Sequence, residues 1–574
     1  MKKIINAPDV VVEDYIAGLV AGTPHLARVD GLPIVVRSPG SRKPADRVAV
    51  VSGGGSGNEP AHAGYVGTGM LDAAVLGPIF TSPSVDAVFA AILASATSAG
   101  VLLIVKNYTG DRLNFGLAAE MARAAGIPVE MVVVADDAAL GDASRAGRRG
   151  LTATVLVHKI AGAAAERGWT LGRIVETVER FLGGAATMGV ALGPCYLPGS
   201  DAPNFSLDAS EIEWGLGIHG EAGVELGALV PSAQIARRLV EVIVADRDLA
   251  PGTEVVALVN SLGGTPDLDL RILQSDVLAA LAERGLRVRM TWAGPFLTSL
   301  DMPGASLTVA AIDDELLELL GDVALVAAFP RSTPQLDPDR VTVVPAPATH
   351  DDPTSEPATG AVSAHVAATH AVGATIAHAL IDAEERLTDL DRQVGDGDLG
   401  TNLARGAAAM VAASDLLLAH RGTARYLTAV AEIVRREVGG TSGPLYSLLL
   451  LAMAEAVTGL GESLTADEWS AAVTTGCARV RSVGGAAPGD STMIDALQPA
   501  VDALRAADGA SGAERARRAA RAAHAGAEST SALTPSLGRS SYLGARAVGI
   551  PDPGAVAIAL QFDAVAQALA GEER

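Results

Sequence analysis

Four stretches of this sequence set chemically capable residues at short, turn-like spacings. In "GLGIHGEAG", from Gly215 to Gly223, the imidazole of His219 stands among glycines with the carboxylate of Glu221 two residues on. Glycine lets a ligand come close to the backbone, and a neutral imidazole is a usable nucleophile. A turn with a chance histidine is the plain alternative. "VKNYTGDRLNF" sets Lys106 and Asp111 five residues apart after an apolar run. The ammonium suits a hydroxyl or an anion and the carboxylate suits a proton, although a surface ion pair has the same appearance. "SGGGSGNEPAHAGYVGTGM", from Ser52 to Met70, is a glycine loop after an apolar run, and such loops offer backbone N–H groups to ligand oxygens. It is neither the dinucleotide fingerprint nor the phosphate loop, because no Lys-Ser or Lys-Thr follows. "LDRQVGDGDLGTNLARG" puts Asp391, Asp396 and Asp398 within eight residues on a glycine-rich turn. Three carboxylates so close repel unless a cation sits among them. Oxygen-only donors point to Mg²⁺ or Ca²⁺ rather than zinc, and the spacing does not fit an EF-hand.

Two textures position these stretches. Up to about residue 330, apolar runs such as "RVAVVSGGGSG", "VLLIVKNYTGD", "VEMVVVADD" and "TEVVALVNSLGG" read as buried strands that end in loops. Helical segments such as "SVDAVFAAILASATSAG" lie between them. Alternating strand, loop and helix implies α/β layers, with ligands bound beyond the carboxyl ends of the strands. From about residue 360 the chain turns to Ala, Leu, Arg and Glu with helical periodicity, as in "AVSAHVAATHAVGATIAHALIDAEERLTDLD". Between the two lies "PRSTPQLDPDRVTVVPAPATHDDPTSEPATG", rich in Pro, Asp and Thr. The expected organisation is an α/β half over 1–331, a linker over 332–360 and an all-α half over 361–574.

The bulk composition limits the partners. Of 574 residues, 49% are hydrophobic and 19% charged, a globular balance in a chain too long for one core. A net charge of −23 argues against nucleic acid, which needs clustered Lys and Arg. Two cysteines, Cys195 and Cys477, exclude a disulfide framework and fit a reducing compartment. The N-terminal stretch has no continuous apolar signal region, and "YSLLLLAMAEAV" is too short to span a bilayer. The expectation is a soluble cytoplasmic protein with no membrane partner.

Taken in order, "SGGGSGNEPAHAGYVGTGMLDAAVLGPIFTSP", "VKNYTGDRLNF", "HKIAGAAAERG" and "GLGIHGEAG" resemble the substrate-binding half of dihydroxyacetone kinases. "LDRQVGDGDLGTNLARG", "GGTSGPLYSLLLLA", "VGGAAPGDSTMIDALQPA" and "TPSLGRSSYLGARAVGIPDPGAVA" resemble the nucleotide-binding half of the same family. The resemblance implies an α/β half with two subdomains, followed by an all-α helical barrel that holds Mg-ATP at one end. It implies that His219 captures a short ketose as a covalent hemiaminal. Gly55, Ser56 and Gly57 would cradle the substrate, Lys106 would hydrogen-bond to it, and Asp111 would be the base for its terminal hydroxyl. Asp391, Asp396 and Asp398 would bind Mg²⁺. ATP would be held by Leu399, Gly400, Thr401, Asn402, Thr441, Ser442, Gly484, Met493, Arg539, Asp552, Pro553 and Gly554.

The implied reaction transfers a phosphoryl group from ATP to dihydroxyacetone or a four-carbon ketose such as erythrulose, in a homodimer. The alternatives are a non-catalytic ketose-sensing coregulator and a kinase fed by a phosphotransferase system. The sequence departs from the family at Asn58, where the loop normally carries histidine, and at Leu399, where histidine is common. Asparagine hydrogen-bonds but takes up no proton near neutral pH, so a proton-relay role does not carry over and the ketose is left open. His62 is expected to be structural, on a following helix. The imidazole of His219, set among glycines, is expected to pack little.

Overall fold

The computed structural model describes residues 2–140, 147–221, 223–336, 363–461, 463–507 and 509–572. The chain divides into two compact units, Met1–Val343 and Val344–Arg574. Most of the expected linker lies outside the described residues.

The first unit opens with helix α1 (Val11–Gly22) and a six-stranded sheet of β1 (Leu26–Arg28), β2 (Ile34–Arg37), β3 (Ala49–Ser56), β4 (Ala73–Ile79), β5 (Val101–Lys106) and β6 (Val129–Val134). The strand order is β1-β2-β4-β3-β5-β6, with β3 to β6 parallel and the first two strands antiparallel at the edge. Parallel strands covered on both faces read as continuous apolar runs. Accordingly β3 and β5 are buried at every residue. Helices α2 (Val85–Ser95) and α3 (Thr109–Ala124) cover one face. The chain runs from β3 to β4 on one side and then crosses to β5 on the other, so the order reverses beside β3. Such a switch point opens a crevice at the strands' carboxyl ends.

Helix α4 (Ala153–Glu166) is apolar on every side apart from Thr154, His158 and Lys159, and Ala153 to Ala165 are buried without exception. An all-round apolar helix belongs inside a protein. Next come α5 (Leu171–Gly184) and a second sheet of β7 (Ala185–Ala191), β8 (Glu211–Trp214), β9 (Glu225–Ala228), β10 (Glu254–Ser261), β11 (Arg287–Gly294) and β12 (Gly304–Ala311). Helices α6 (Ser232–Arg247), α7 (Asp267–Glu283) and α8 (Asp314–Gly321) accompany it. Its order is β11-β10-β12-β7-β8-β9, and only β10 and β11 run parallel. Alternating strands and helices alone suggest parallel pairing throughout. Here β12 inserts antiparallel between β10 and β7, and buried as it is (all but its last residue), its apolar run looks the same in either direction.

The second unit is helical throughout its described residues apart from short turns. Its helices are α9 (Ala364–Asp382), α10 (Glu384–Val394), α11 (Leu399–Ala412), α12 (Ser414–Leu418), α13 (Thr423–Glu437), α14 (Ser442–Val457), α15 (Ala466–Gly484), α16 (Ile494–Ala506), α17 (Gly512–Ser529) and α18 (Pro553–Glu572). They ring an apolar cavity of about 620 Å³ lined by residues such as Val372, Leu427, Leu450 and Phe562. Among the described residues, two stretches could cross a membrane by length and composition, Ala364–Asp382 and Pro553–Gly571. Both turn apolar residues, such as Ile376 and Val565, into this cavity.

Candidate active site

The glycine loop leaves β3 at the switch point, and its geometry depends on Gly57. That residue has φ +104°, and a Cβ there would lie 2.7 Å from the Phe80 ring. Ser56 turns back, its hydroxyl donating to the Gly77 carbonyl over 2.8 Å. Asn58 follows, fully buried, with its amide tied at every position. Nδ2 donates to the carbonyls of Thr298 (2.8 Å) and Ile218 (3.3 Å), and Oδ1 accepts from Lys106 Nζ (3.1 Å). Lys106 is the last residue of β5 and is fully buried. Burial lowers its pKa below the usual lysine range, while Asp111, Glu221 and Glu59 favour the charged form. Asp111 lies in the first turn of α3, and its Oδ1 is buried without a hydrogen-bond partner among the described residues.

His219 closes the site from the loop after β8. Its Nε2 lies 3.3 Å from Asn58 Oδ1, and its Nδ1 lies 3.0 Å from Glu221 Oε1. The second oxygen of Glu221 accepts the backbone N–H of His219 over 3.0 Å. Burial alone would raise the Glu221 pKa, but the hydrogen bonds and charge of His219 outweigh it and hold the carboxyl at about 2. Gly217 makes room for this carboxylate, since a Cβ there would stand 2.0 Å from Glu221 Oε2. The expectation of a loosely packed imidazole fails. The ring lies between Tyr108 and Phe80, with centroids 4.8 and 5.1 Å away. Both aromatics come from segments remote in sequence, which local glycine content does not reveal.

In the helical unit the expected metal and nucleotide residues lie at helix ends and in the turns between helices. The turn from α10 to α11 holds Asp391, Asp396 and Asp398, with one carboxylate oxygen from each within 4.8 Å of the others. Asp391 Oδ2 accepts the N–H groups of Asp398 (2.9 Å) and Leu399 (3.1 Å), which shapes the turn. A partly exposed set of hard oxygens fits Mg²⁺. Leu399, Gly400, Thr401 and Asn402 form the first turn of α11. Gly400 is packed against α10, and Asn402 lies beside Gly439 in the turn before α14. Thr441 and Ser442 start α14, Gly484 ends α15, and Met493 caps α16.

Asp552 accepts the Ala555 N–H over 2.7 Å and so caps α18, which begins with Pro553 and Gly554. Gly554 faces Met493. Burial, with the nearby charges of Asp495 and Asp391, raises Asp552 to about 7 against the lowering pull of its backbone hydrogen bonds. The loops before α16 and α18 are joined where the Ser536 hydroxyl donates to Asp490 over 2.6 Å. Arg539 opens a short 3₁₀ turn, and its side chain lies outside the described residues. Several helix N-termini therefore face one end together, an arrangement suited to phosphate.

Residues 17–328 match the Dak1 domain, and residues 393–567 match the DAK2 domain. The chain belongs to the fused dihydroxyacetone kinase family. It is 40% identical over 579 residues to triokinase/FMN cyclase of Homo sapiens, covering 99% of both chains. It is 36% identical over 570 residues to D-erythrulose kinase of Mycolicibacterium smegmatis, covering 98% of this chain and 97% of the other. The dihydroxyacetone kinase of C. freundii, solved with AMP-PNP and Mg²⁺, matches over 99% of both chains at 35% identity and a TM-score of 0.64. The family assignment makes the chain an ATP-dependent kinase of the dihydroxyacetone and erythrulose type, with Mg²⁺ as its metal.

Against this family background, His219, Asn58, Lys106 and Asp111 converge in the first unit as expected from the motifs. Glu221, Phe80 and Tyr108 were not expected at the site. Glu221 carried a sequence signal, a carboxylate two residues from an imidazole, whereas the aromatics carried none. His62 lies in the loop before a short 3₁₀ turn rather than on a helix. It is buried, with Nδ1 2.9 Å from His158 Nε2 on α4 and 3.3 Å from Ser52 Oγ.

Proposed function

We propose that this kinase phosphorylates the terminal hydroxyl of a short ketose, dihydroxyacetone or a four-carbon ketose such as erythrulose, held as a hemiaminal on His219. The observation that carries the reading is the convergence of an imidazole, an ammonium and an unpaired buried carboxylate oxygen at the carboxyl ends of β3 and β5. His219 is the nucleophile toward the ketone carbon. Lys106 and the Gly55–Ser56–Gly57 turn hold the substrate oxygens. Asp111 takes the hydroxyl proton, a role in keeping with an Oδ1 that has no hydrogen-bond partner among the described residues.

Mg²⁺ on Asp391, Asp396 and Asp398 would neutralise the phosphates of ATP, charge that a chain of net −23 would otherwise repel. Asn402, Thr441, Ser442 and the Asp552–Pro553–Gly554 turn would hold the nucleotide, together with Leu399, Gly400, Thr401, Gly484, Met493 and Arg539. Residues 1–331 thus supply the acceptor and 361–574 the donor, joined by 332–360, in a cytoplasmic homodimer.

Asn58 favours the four-carbon substrate. Both of its N–H groups are committed to backbone carbonyls, so only Oδ1 faces the ligand. That oxygen accepts from a substrate hydroxyl but relays no proton. The test is ATP consumption by the purified protein with dihydroxyacetone and each erythrulose enantiomer, alongside NMR of substrate labelled at the carbonyl carbon. Loss of the ketone signal on binding, dependent on His219, supports the reading. A persistent ketone signal in a turning-over enzyme refutes the covalent step.

A further inference from the structure

Among the described residues, each nitrogen of the His219 ring meets one acceptor. The Asn58 amide has one allowed orientation, because turning it over would set Nδ2 against the Lys106 ammonium and Oδ1 against two carbonyls. Its oxygen therefore faces Nε2 of His219. On the other side of the ring, Nδ1 faces a Glu221 oxygen. Both ring nitrogens meet acceptors, so both are satisfied only when each carries a proton. Glu221 grips this one residue twice, at the ring and at the backbone N–H. Among the described residues, the other charged or titratable groups nearby are Lys106, Glu59, Asp111, Arg149 and the Tyr108 phenol, with Asp136 and Asp137 behind that phenol.

Resting on the hemiaminal reading, we propose that Glu221 is a positioning residue that keeps His219 cationic before and after ketone capture, while Asn58 Oδ1 holds on Nε2 the proton that ends on the former carbonyl oxygen. In this step the Nε2–H bond breaks, and its electron pair forms the bond to the carbonyl carbon. The π pair of the C=O moves to oxygen and takes the released proton as a hydroxyl. Nothing is oxidised or reduced, and no proton leaves the site. The ring ends alkylated at Nε2 and still cationic, with its Nδ1–H on the Glu221 carboxylate. Asn58 Oδ1 is then free to accept a hydrogen bond from the bound ketose.

Glu221→Gln tests the charge, because the amide keeps an oxygen for Nδ1–H but does not balance a cation. Charge-assisted hydrogen bonds are about twice as strong as neutral ones, so the ketose KM should rise about tenfold or more while kcat at saturation changes far less. The ¹³C adduct signal of carbonyl-labelled ketose should weaken in parallel, and the ¹⁵N signals of His219 should report loss of one ring proton in the empty enzyme. Glu221→Ala is the second variant. Added formate should restore its ketose capture, and should do nothing for His219→Ala. Thermal melting checks that each variant folds, and formate rescue decides the matter if Glu221→Gln does not. Wild-type KM and adduct signal in Glu221→Gln, or no rescue of Glu221→Ala, with His219→Ala inactive, overturns the role of Glu221 and leaves the hemiaminal intact. Full turnover by His219→Ala overturns the hemiaminal itself.

Discussion

The ammonium of Lys106 donates to Oδ1 of Asn58 over 3.1 Å, inside a site where both side chains are fully buried. This bond ties the end of β5 to the glycine loop after β3 and aims one amide oxygen at His219.

Asn58→His should therefore shift substrate preference. An imidazole cannot donate to Thr298 and Ile218 while accepting from Lys106 as the amide does. It restores a group that titrates, and it takes up room beside the ketose. The ratio of kcat/KM for dihydroxyacetone to that for erythrulose should rise by about tenfold, the usual scale for one pocket contact. An unmoved ratio would show that Asn58 has no part in choosing the ketose.

His219→Ala should abolish the adduct signal and reduce turnover by a factor of about a thousand or more. It should also cost stability, about 1–3 kcal/mol, because the ring packs between Phe80 and Tyr108. Chemical denaturation of the first unit measures that cost. A variant as stable as wild type would contradict the packing of the ring.

The three aspartates should separate by role. Asp398→Ala should remove Mg-dependent ATP binding in calorimetry and leave ketose capture intact, and EDTA should mimic it. Asp391→Ala should do the same and also loosen the turn, since two backbone N–H groups lose their acceptor. Hydrogen exchange at Asp398 and Leu399 should rise in Asp391→Ala more than in Asp398→Ala. Equal exchange in both would remove the structural part of Asp391.

The buried pair of His62 and His158 should make the first unit acid-sensitive. Burial, reinforced by the Lys106 charge, holds His158 at about 3, and His62 is lowered well below the usual range for the same reasons. An unfolded imidazole takes a proton near pH 6.5, so between about pH 6.5 and 3 the unfolded chain binds more protons than the folded one. Stability therefore falls as pH falls through that window, by about 2 kcal/mol from His158 alone between pH 6.5 and 5. Denaturant midpoints at pH 7, 6 and 5 should show this slope, and His158→Gln should flatten it. An unchanged slope in that variant would place the acid sensitivity elsewhere.

Local sequence carried much of the chemistry. The apolar runs of β3 and β5, the glycine loop, the three clustered aspartates and the imidazole followed by a carboxylate are all contiguous patterns. Each reflects something the backbone does over a few residues: a strand buried on both faces, a turn that needs glycine, or a cation that screens neighbouring charges. The helical half was legible for the same reason, because a 3.6-residue period repeats within one helix. What stayed hidden lies across long separations. Nothing near residue 219 indicates that Phe80 and Tyr108 pack on its ring, or that Asn58 faces its Nε2. Nothing in an apolar run distinguishes a parallel from an antiparallel neighbour, so the placement of β12 between β10 and β7 came only from the fold. The role of Asn58 is of the same kind. Its sequence position marks a departure from the family, but its hydrogen bonds to Thr298, Ile218 and Lys106 decide which atom meets the substrate. Those partners are brought together by packing of the whole unit, and no short stretch of sequence contains that information.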